Sequence, residues 1–159
     1  FREESGVQNL GQTPEEIRHG VLSEYFPKDR MTVFGSTDMA APISSGSHLH
    51  DGMVILPCSM STLSAIANGI TMNLIHRAAS VVLKQGWPLV MVPRESPLSS
   101  VHLGNMLELT RSGAVMLPAT VSYYHRPESD SDMNEFIATR ILDALGVKSI
   151  SDKRWKGLS

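Results

Sequence analysis

Four groups of residues in this chain could act on a charged ligand. The first is Ser59-Met60-Ser61-Thr62, which follows the apolar run Met53–Leu56 and Pro57-Cys58. A strand that gives way to a hydroxyl-rich turn and then a helix makes an anion site, because the first backbone N–H groups of a helix are free and its dipole favours negative charge. The same residues also suit plain helix capping by Ser59 or Thr62. The second group is Arg94-Glu95, directly after the apolar run Leu89–Val92 and Pro93. The third is the aromatic and basic stretch Tyr123-Tyr124-His125-Arg126. The fourth is a pair of basic residues in helical segments, Lys84 and Arg140. Guanidinium and ammonium groups with hydroxyl donors suit phosphate. Glu95 is the one carboxylate among them and so the natural proton carrier. Cys58 offers a nucleophile as an alternative, although a lone cysteine ending a buried strand usually serves as a small apolar residue. His48 and His50 could hold a metal ion, but a solvated Gly/Ser-rich loop accounts for them as well.

The elements that must position these groups read as an α/β alternation. Thr13-Pro14-Glu15-Glu16 starts a helix with a capping box, and Ile17, Val21 and Tyr25 line one face of it until Pro27. Met31–Phe34 reads as a short strand, and residues 38–52 as a loop of small residues. Met53–Leu56 reads as a strand buried on both faces whose pairing stops at Pro57. A helix is expected from near Leu63 to Asn68, and a longer one over Met72–Lys84. Leu89–Val92 and Ala114–Leu117 are further buried strands ended by prolines. Between them Ser100–Ser112 is a helix with Leu103, Met106, Leu107 and Thr110 inward. A last helix capped by Asp130 or Ser131 buries Met133, Phe136, Ile137, Ile141 and Leu145 and stops at Gly146. Three such strands with helices between predict a parallel sheet whose carboxyl edge collects Ser59–Thr62, Arg94, Glu95, Tyr124, Lys84 and Arg140.

Bulk properties narrow the classes. The chain has 159 residues, enough for one domain with a core of its own. A net charge of −2 gives no sign of a nucleic-acid or membrane partner. No run of about 18 apolar residues occurs. The single cysteine fits a reducing, cytoplasmic setting.

Several words of the sequence together resemble the UbiX/Pad-type flavin prenyltransferases, within the flavoprotein superfamily of homo-oligomeric FMN-containing cysteine decarboxylases. They are Ser44-Ser45-Gly46-Ser47, Pro57-Cys58-Ser59-Met60-Ser61-Thr62-Leu63, Asn73-Leu74-Ile75-His76-Arg77-Ala78-Ala79 and Val82-Leu83-Lys84. Val92-Pro93-Arg94-Glu95-Ser96-Pro97-Leu98, His102 with Asn105-Met106-Leu107, Tyr124-His125 with Pro127, Arg140-Ile141-Leu142 and Arg154-Trp155 follow in order. The resemblance implies a Rossmann-like three-layer parallel sheet with helices on both faces, residues 1–159 forming one domain. It implies transfer of a dimethylallyl group from dimethylallyl phosphate to N5 and C6 of reduced FMN, without a metal. The product, prenylated FMN, would serve a UbiD-type decarboxylase. Carried over by position, Ser59, Met60, Ser61, Thr62 and Arg94 would contact FMN. Tyr124, Arg140, Lys84 and Arg77 would hold dimethylallyl phosphate, and Glu95 would move protons.

The resemblance also implies a homo-oligomer, a dodecamer, with sites between subunits and the tail 147–159 docked on the domain or a neighbour. The family's first two strands and its Gly-x-Ser-Gly turn are not in this sequence, which is therefore expected to be part of a longer chain. Ser80, Gly104 and Tyr123 stand where the family often has Asp, Glu and Phe. Two other functions remain open: a flavin-dependent decarboxylase of cysteinyl substrates, and a non-catalytic FMN-binding fragment or paralogue.

Overall fold

The computed structural model describes residues 13–20, 22–120 and 127–147. The chain begins with α1 (Pro14–His19), a capping-box helix in which Thr13 Oγ1 accepts from the Glu16 N–H, and α2 (Leu22–Tyr25). The single helix expected up to Pro27 is thus two short ones. Gly20 leaves helical geometry between them, and Tyr25 is 72% exposed. Met31–Phe34 is not a strand. Met31 is extended, but the segment makes no ladder with any described strand, and β structure needs a neighbour to accept its hydrogen bonds.

The centre is a parallel sheet of β1 (Met53–Cys58), β2 (Leu89–Pro93) and β3 (Val115–Met116), in that order among the described residues. Between the strands lie α3 (Met60–Ala67), α4 (Leu74–Gln85) and α5 (Ser100–Arg111); α6 (Asp130–Ala144) follows β3. β2 has every residue buried. Its side chains alternate, so one layer of core forms on each face. Leu89 and Met91 pack with Ile55, Leu63, Ile66, Ala79, Val82 and Leu109 beneath α3, α4 and α5. Val90 and Val92 pack with Ile141 of α6, with Ile137 and Leu145 alongside. The helices therefore cover both faces, in three layers. Each fully buried Leu, Val or Met side chain here contributes roughly 1.5–3 kcal/mol.

The flanking strands depart from expectation. β1 is not buried on both faces, since Leu56 is 58% exposed. Nor does its pairing stop at Pro57. Met53, Val54 and Ile55 pair with Leu89, Val90 and Met91; the register then slips, and Cys58 pairs with Pro93. The slip lets the ladder pass the residue that has no N–H to give. β3 is shorter than Ala114–Leu117, although the Leu117 N–H still donates to the Met91 carbonyl at 2.9 Å.

Among the helices, α5 turns Leu109 inward with Met106 against the core, while Leu103, Leu107 and Thr110 face out. The cap of α6 is Ser129, whose hydroxyl accepts from Asp132 N–H. α4, expected over Met72–Lys84, runs Leu74–Gln85 and ends in a glycine stop. Gly86 is left-handed at φ 69°, and its N–H reaches the Leu83 and Val82 carbonyls. Gly52, at φ 155°, enters β1 in close contact: a Cβ there would lie 3.0 Å from both the Pro88 carbonyl oxygen and Leu145 Cδ2.

Candidate functional site

Pairing of Cys58 with Pro93 fixes the heart of the site. Ser59 and Arg94 are the next residues on adjacent parallel strands, so the hydroxyl turn and the Arg-Glu pair leave the sheet side by side at its carboxyl edge. This is where open α/β sheets hold ligands.

α3 starts at Met60, three residues earlier than expected, so Ser61 and Thr62 lie in its first turn. Ser59 is the cap: its Oγ accepts from the Thr62 N–H at 3.2 Å, lies 3.0 Å from Ser61 Oγ and donates to Thr62 Oγ1 at 3.1 Å. The capping and anion-site readings are therefore compatible. One first-turn N–H is satisfied by Ser59, while those of Met60 and Ser61 have no acceptor within the helix. Three hydroxyls gather around them. Arg94 is exposed and makes no hydrogen bond or ion pair to any described residue. Glu95 is also exposed, and its Oε1 accepts from the Ser96 N–H at 3.0 Å.

Two contacts missed by the sequence reading hold these loops. Ser99 and His102 form a reciprocal capping box that anchors the segment after Glu95 to α5: Ser99 N–H donates to His102 Nδ1 at 3.3 Å, and His102 N–H to Ser99 Oγ at 3.2 Å. The Ser-x-x-His spacing was the available signal. Asn68 Nδ2 donates to Asn105 Oδ1 at 3.4 Å, tying the end of α3 to α5.

Cys58 is set apart from the chemistry. It is 1% exposed, and burial pushes its thiol up to about 11, against a smaller lowering by the Leu63 N–H. A thiol that stays protonated at neutral pH is a poor nucleophile.

Lys84 does not join Ser59 and Arg94 within one chain. Lys84 is exposed in the last turn of α4, just before the turn that opens β2, and so lies at the amino edge of the sheet. Arg140 lies late in α6, 3.7 Å from Asp143. It lines a cleft of about 460 Å³ between Val115–Pro118 and α6, with Phe136 and Ile137. The physical reason for Lys84 is direction: a helix that returns the chain across a parallel sheet runs against its strands, so its last turn points away from the carboxyl edge.

Arg77, near the start of α4, is half-buried and donates from Nε to the Ser44 carbonyl at 2.9 Å. With Leu74 N–H to Ser36 O at 2.8 Å and Gln85 Nε2 to Gly46 O at 3.3 Å, it straps the 36–46 segment along α4. Tyr124 and the tail with Trp155 lie outside the described residues. His50 is engaged in packing: its Nδ1 is 3.1 Å from the Gly52 carbonyl, and its ring meets Trp87 edge-on at 4.6 Å. Among the described residues no three His, Cys, Asp or Glu side chains gather as a metal site would need, and no helix is long and apolar enough to cross a membrane.

Residues 10–142 match the family described as Flavoprotein. The chain belongs to that family. Among its flavoprotein relatives, the flavin prenyltransferase UbiX of Pseudomonas aeruginosa is 52% identical over 126 residues, which are 79% of this chain and 60% of that protein. The flavin prenyltransferase UbiX of Aquifex aeolicus is 47% identical over 147 residues, 91% of this chain and 74% of that one. Two solved flavoproteins share the fold and much of the sequence. AnUbiX (PadA1) in complex with FMN and dimethylallyl pyrophosphate superposes at a TM-score of 0.79 with 41% identity, over 92% of this chain and 79% of that one. The dodecameric FMN-dependent UbiX-like decarboxylase from Escherichia coli O157:H7 gives 0.75 with 47% identity, over 78% and 67%. The chain thus spans about three fifths of the length of the P. aeruginosa relative.

Proposed function

We propose that this chain forms the greater part of a flavin prenyltransferase, which moves the dimethylallyl group of dimethylallyl phosphate onto reduced FMN. The observation that carries this reading is the Cys58–Pro93 register, which sets an N-capped, hydroxyl-rich helix start beside Arg94 and Glu95 in a chain about half identical to flavin prenyltransferases. The donor set suits FMN: free N–H groups at the start of α3, the hydroxyls of Ser59, Ser61 and Thr62, and the guanidinium of Arg94 would hold its polar and anionic parts. Reduced FMN, when bound, supplies the nucleophile. Glu95, exposed beside Arg94, would take up and return the protons of the transfer. Arg77, Lys84, Arg140 and Tyr124 neutralise the phosphate as its bond to the allylic carbon breaks.

Because Lys84 lies away from Ser59 in one chain, it serves this chemistry from a neighbouring subunit of a homo-oligomer, a dodecamer. The dodecameric relative from E. coli supports that assembly. The product goes on to a UbiD-type decarboxylase in the cytoplasm.

Replacing Glu95 with Gln tests the role given to it in the assembled enzyme. Prenylation is expected to fall by about 10²-fold or more, with FMN binding unchanged. Unaltered turnover would remove Glu95 from the mechanism. A second reading, FMN binding without turnover, is favoured by Lys84 lying at the opposite edge of the sheet from Ser59 and Arg94. FMN retention with no alkylated flavin formed would select it.

A further inference from the structure

We propose that Gln85 is a positioning residue: with Gly46 it clamps the Ser44–Ser47 turn onto α4, and the clamped turn holds the guanidinium of Arg77 in place for a phosphate. This role deepens the prenyl transfer proposed above and rests on that reading.

The turn is closed on itself. Pro42–Ser44 is a single 3-10 turn, in which the Ser44 N–H donates to the Ala41 carbonyl at 2.9 Å and the Ser45 N–H to the Pro42 carbonyl at 3.0 Å. The His48 N–H donates to the Ser45 carbonyl at 3.1 Å, and the Ser45 and Ser47 hydroxyl oxygens lie 2.8 Å apart. Residues 41–48 therefore move as one unit. The carbonyls on either side of Ser45 are taken by α4: Arg77 Nε donates to that of Ser44 at 2.9 Å, and Gln85 Nε2 to that of Gly46 at 3.3 Å. Arg77 and Gln85 stand at i and i+8, on one stripe of the helix and about 12 Å apart along it. Their long side chains thus converge from both ends on carbonyls two residues apart. Gly46 is what lets Gln85 lie there. A Cβ at position 46 would overlap the Gln85 amide nitrogen and sit 3.1 Å from its Cδ.

Arg77 takes its orientation from this turn. Its Nε is committed to Ser44 in a half-buried contact, and its two Nη groups have no partner among the described residues. A guanidinium fixed through Nε presents its other two nitrogens as a fork, the geometry that takes two phosphate oxygens at once. One bond, at Ser44, would leave the turn free to swing about that residue. The second, at Gly46, removes the swing. Gln85 carries no charge, so it adds nothing to the field at the site and acts on a phosphate only through the turn and Arg77.

The test uses the assembled, FMN-loaded enzyme and the variants Q85A, Q85E and G46A, each checked by thermal denaturation. Q85A is expected to raise KM for dimethylallyl phosphate about 3- to 10-fold, the weight of one hydrogen bond, with kcat and FMN affinity little changed. Inorganic phosphate, used as a probe in calorimetry, should bind more weakly by the same factor, and backbone amide exchange over residues 44–47 should quicken. Q85E should follow Q85A, because a carboxylate has no N–H to give to a carbonyl. G46A should be the more impaired, and adding Q85A to it should recover part of the loss, since the clash leaves with the side chain. Phosphate binding that is unchanged in Q85A would overturn the role, whether or not exchange quickens. So would a fall in kcat and thermal midpoint with KM unmoved, the mark of a merely structural contact. A wild-type enzyme that forms no alkylated flavin would overturn the prenyl-transfer reading alone, and phosphate binding by wild-type and Q85A would still decide for or against the clamp.

Discussion

Ser59 does two jobs, and they can be separated. As the cap of α3 it satisfies the Thr62 N–H; as a hydroxyl at the sheet's carboxyl edge it faces the ligand. S59A is expected to cost about 1 kcal/mol of stability, read from chemical denaturation, and to weaken FMN binding, read by flavin fluorescence. S59D should keep the cap but repel an anion, so it is expected to recover stability and still bind FMN poorly. Stability and binding that fall and recover together would refute the ligand role. Cys58 gives a pH prediction. Its thiol is held protonated up to about 11 in the fold, against 9.0 for an ordinary one. The unfolded chain therefore releases this proton first as pH rises. The Cys58 contribution to stability is intact below about pH 9 and is lost as pH climbs from about 9 to about 11. C58S removes that ionisation, so the difference between wild-type and variant denaturation midpoints should change across this window and be constant below it. Native protein should also resist thiol alkylation at pH 8 and react once unfolded.

The elements show what could be read from the residues and what could not. The unbroken apolar run Leu89–Val92 predicted a strand buried on both faces, and β2 is one. The similar run Met53–Leu56 gave the same signal, yet Leu56 is exposed. Apolar character records what a residue could bury, while the number of neighbouring strands decides what it does bury. The helix start at Thr13 and the stop by Gly146, left-handed at φ 76°, were local and legible, because capping depends on a few consecutive residues. The facing of α5 was not, since Leu103, Leu107 and Leu109 compete for the inward side and packing against α3 chooses Leu109. The ligand edge was legible from residue types at strand ends. That Lys84 falls elsewhere follows from helix direction, which spacing along the chain does not reveal. At this scale G52A is expected to be more destabilising than G86A. Both strain a positive φ, but only the first also drives a Cβ against a backbone carbonyl. For G86A the loss is about 1 kcal/mol, and thermal denaturation ranks the pair.

In the proposed function each site depends on a neighbouring subunit. If one site takes Arg94 from one subunit and Lys84 from another, inactive variants should complement. R94A and K84A oligomers are each expected to be inactive, and oligomers assembled from a mixture should recover activity at the sites that receive both intact residues. Mixed assemblies as inactive as their parents would place both residues of a site on one subunit. The fold contributes the rigid part of this design. β2 and its two core layers hold the Ser59 and Arg94 edges in fixed register. M91A, which empties the layer beneath α3 and α5, is expected to cost about 2–5 kcal/mol and to release bound flavin as the edges lose register.

The central claim is the reaction itself, and the most direct measurement is the mass of the flavin. The purified protein is incubated without oxygen with reduced FMN and dimethylallyl phosphate, and the flavin is extracted and weighed by mass spectrometry. Conversion of FMN to a species heavier by one dimethylallyl group, with release of inorganic phosphate, is the predicted result. Flavin that is bound but recovered unchanged, with no phosphate released, would contradict the claim and leave a protein that holds FMN without alkylating it.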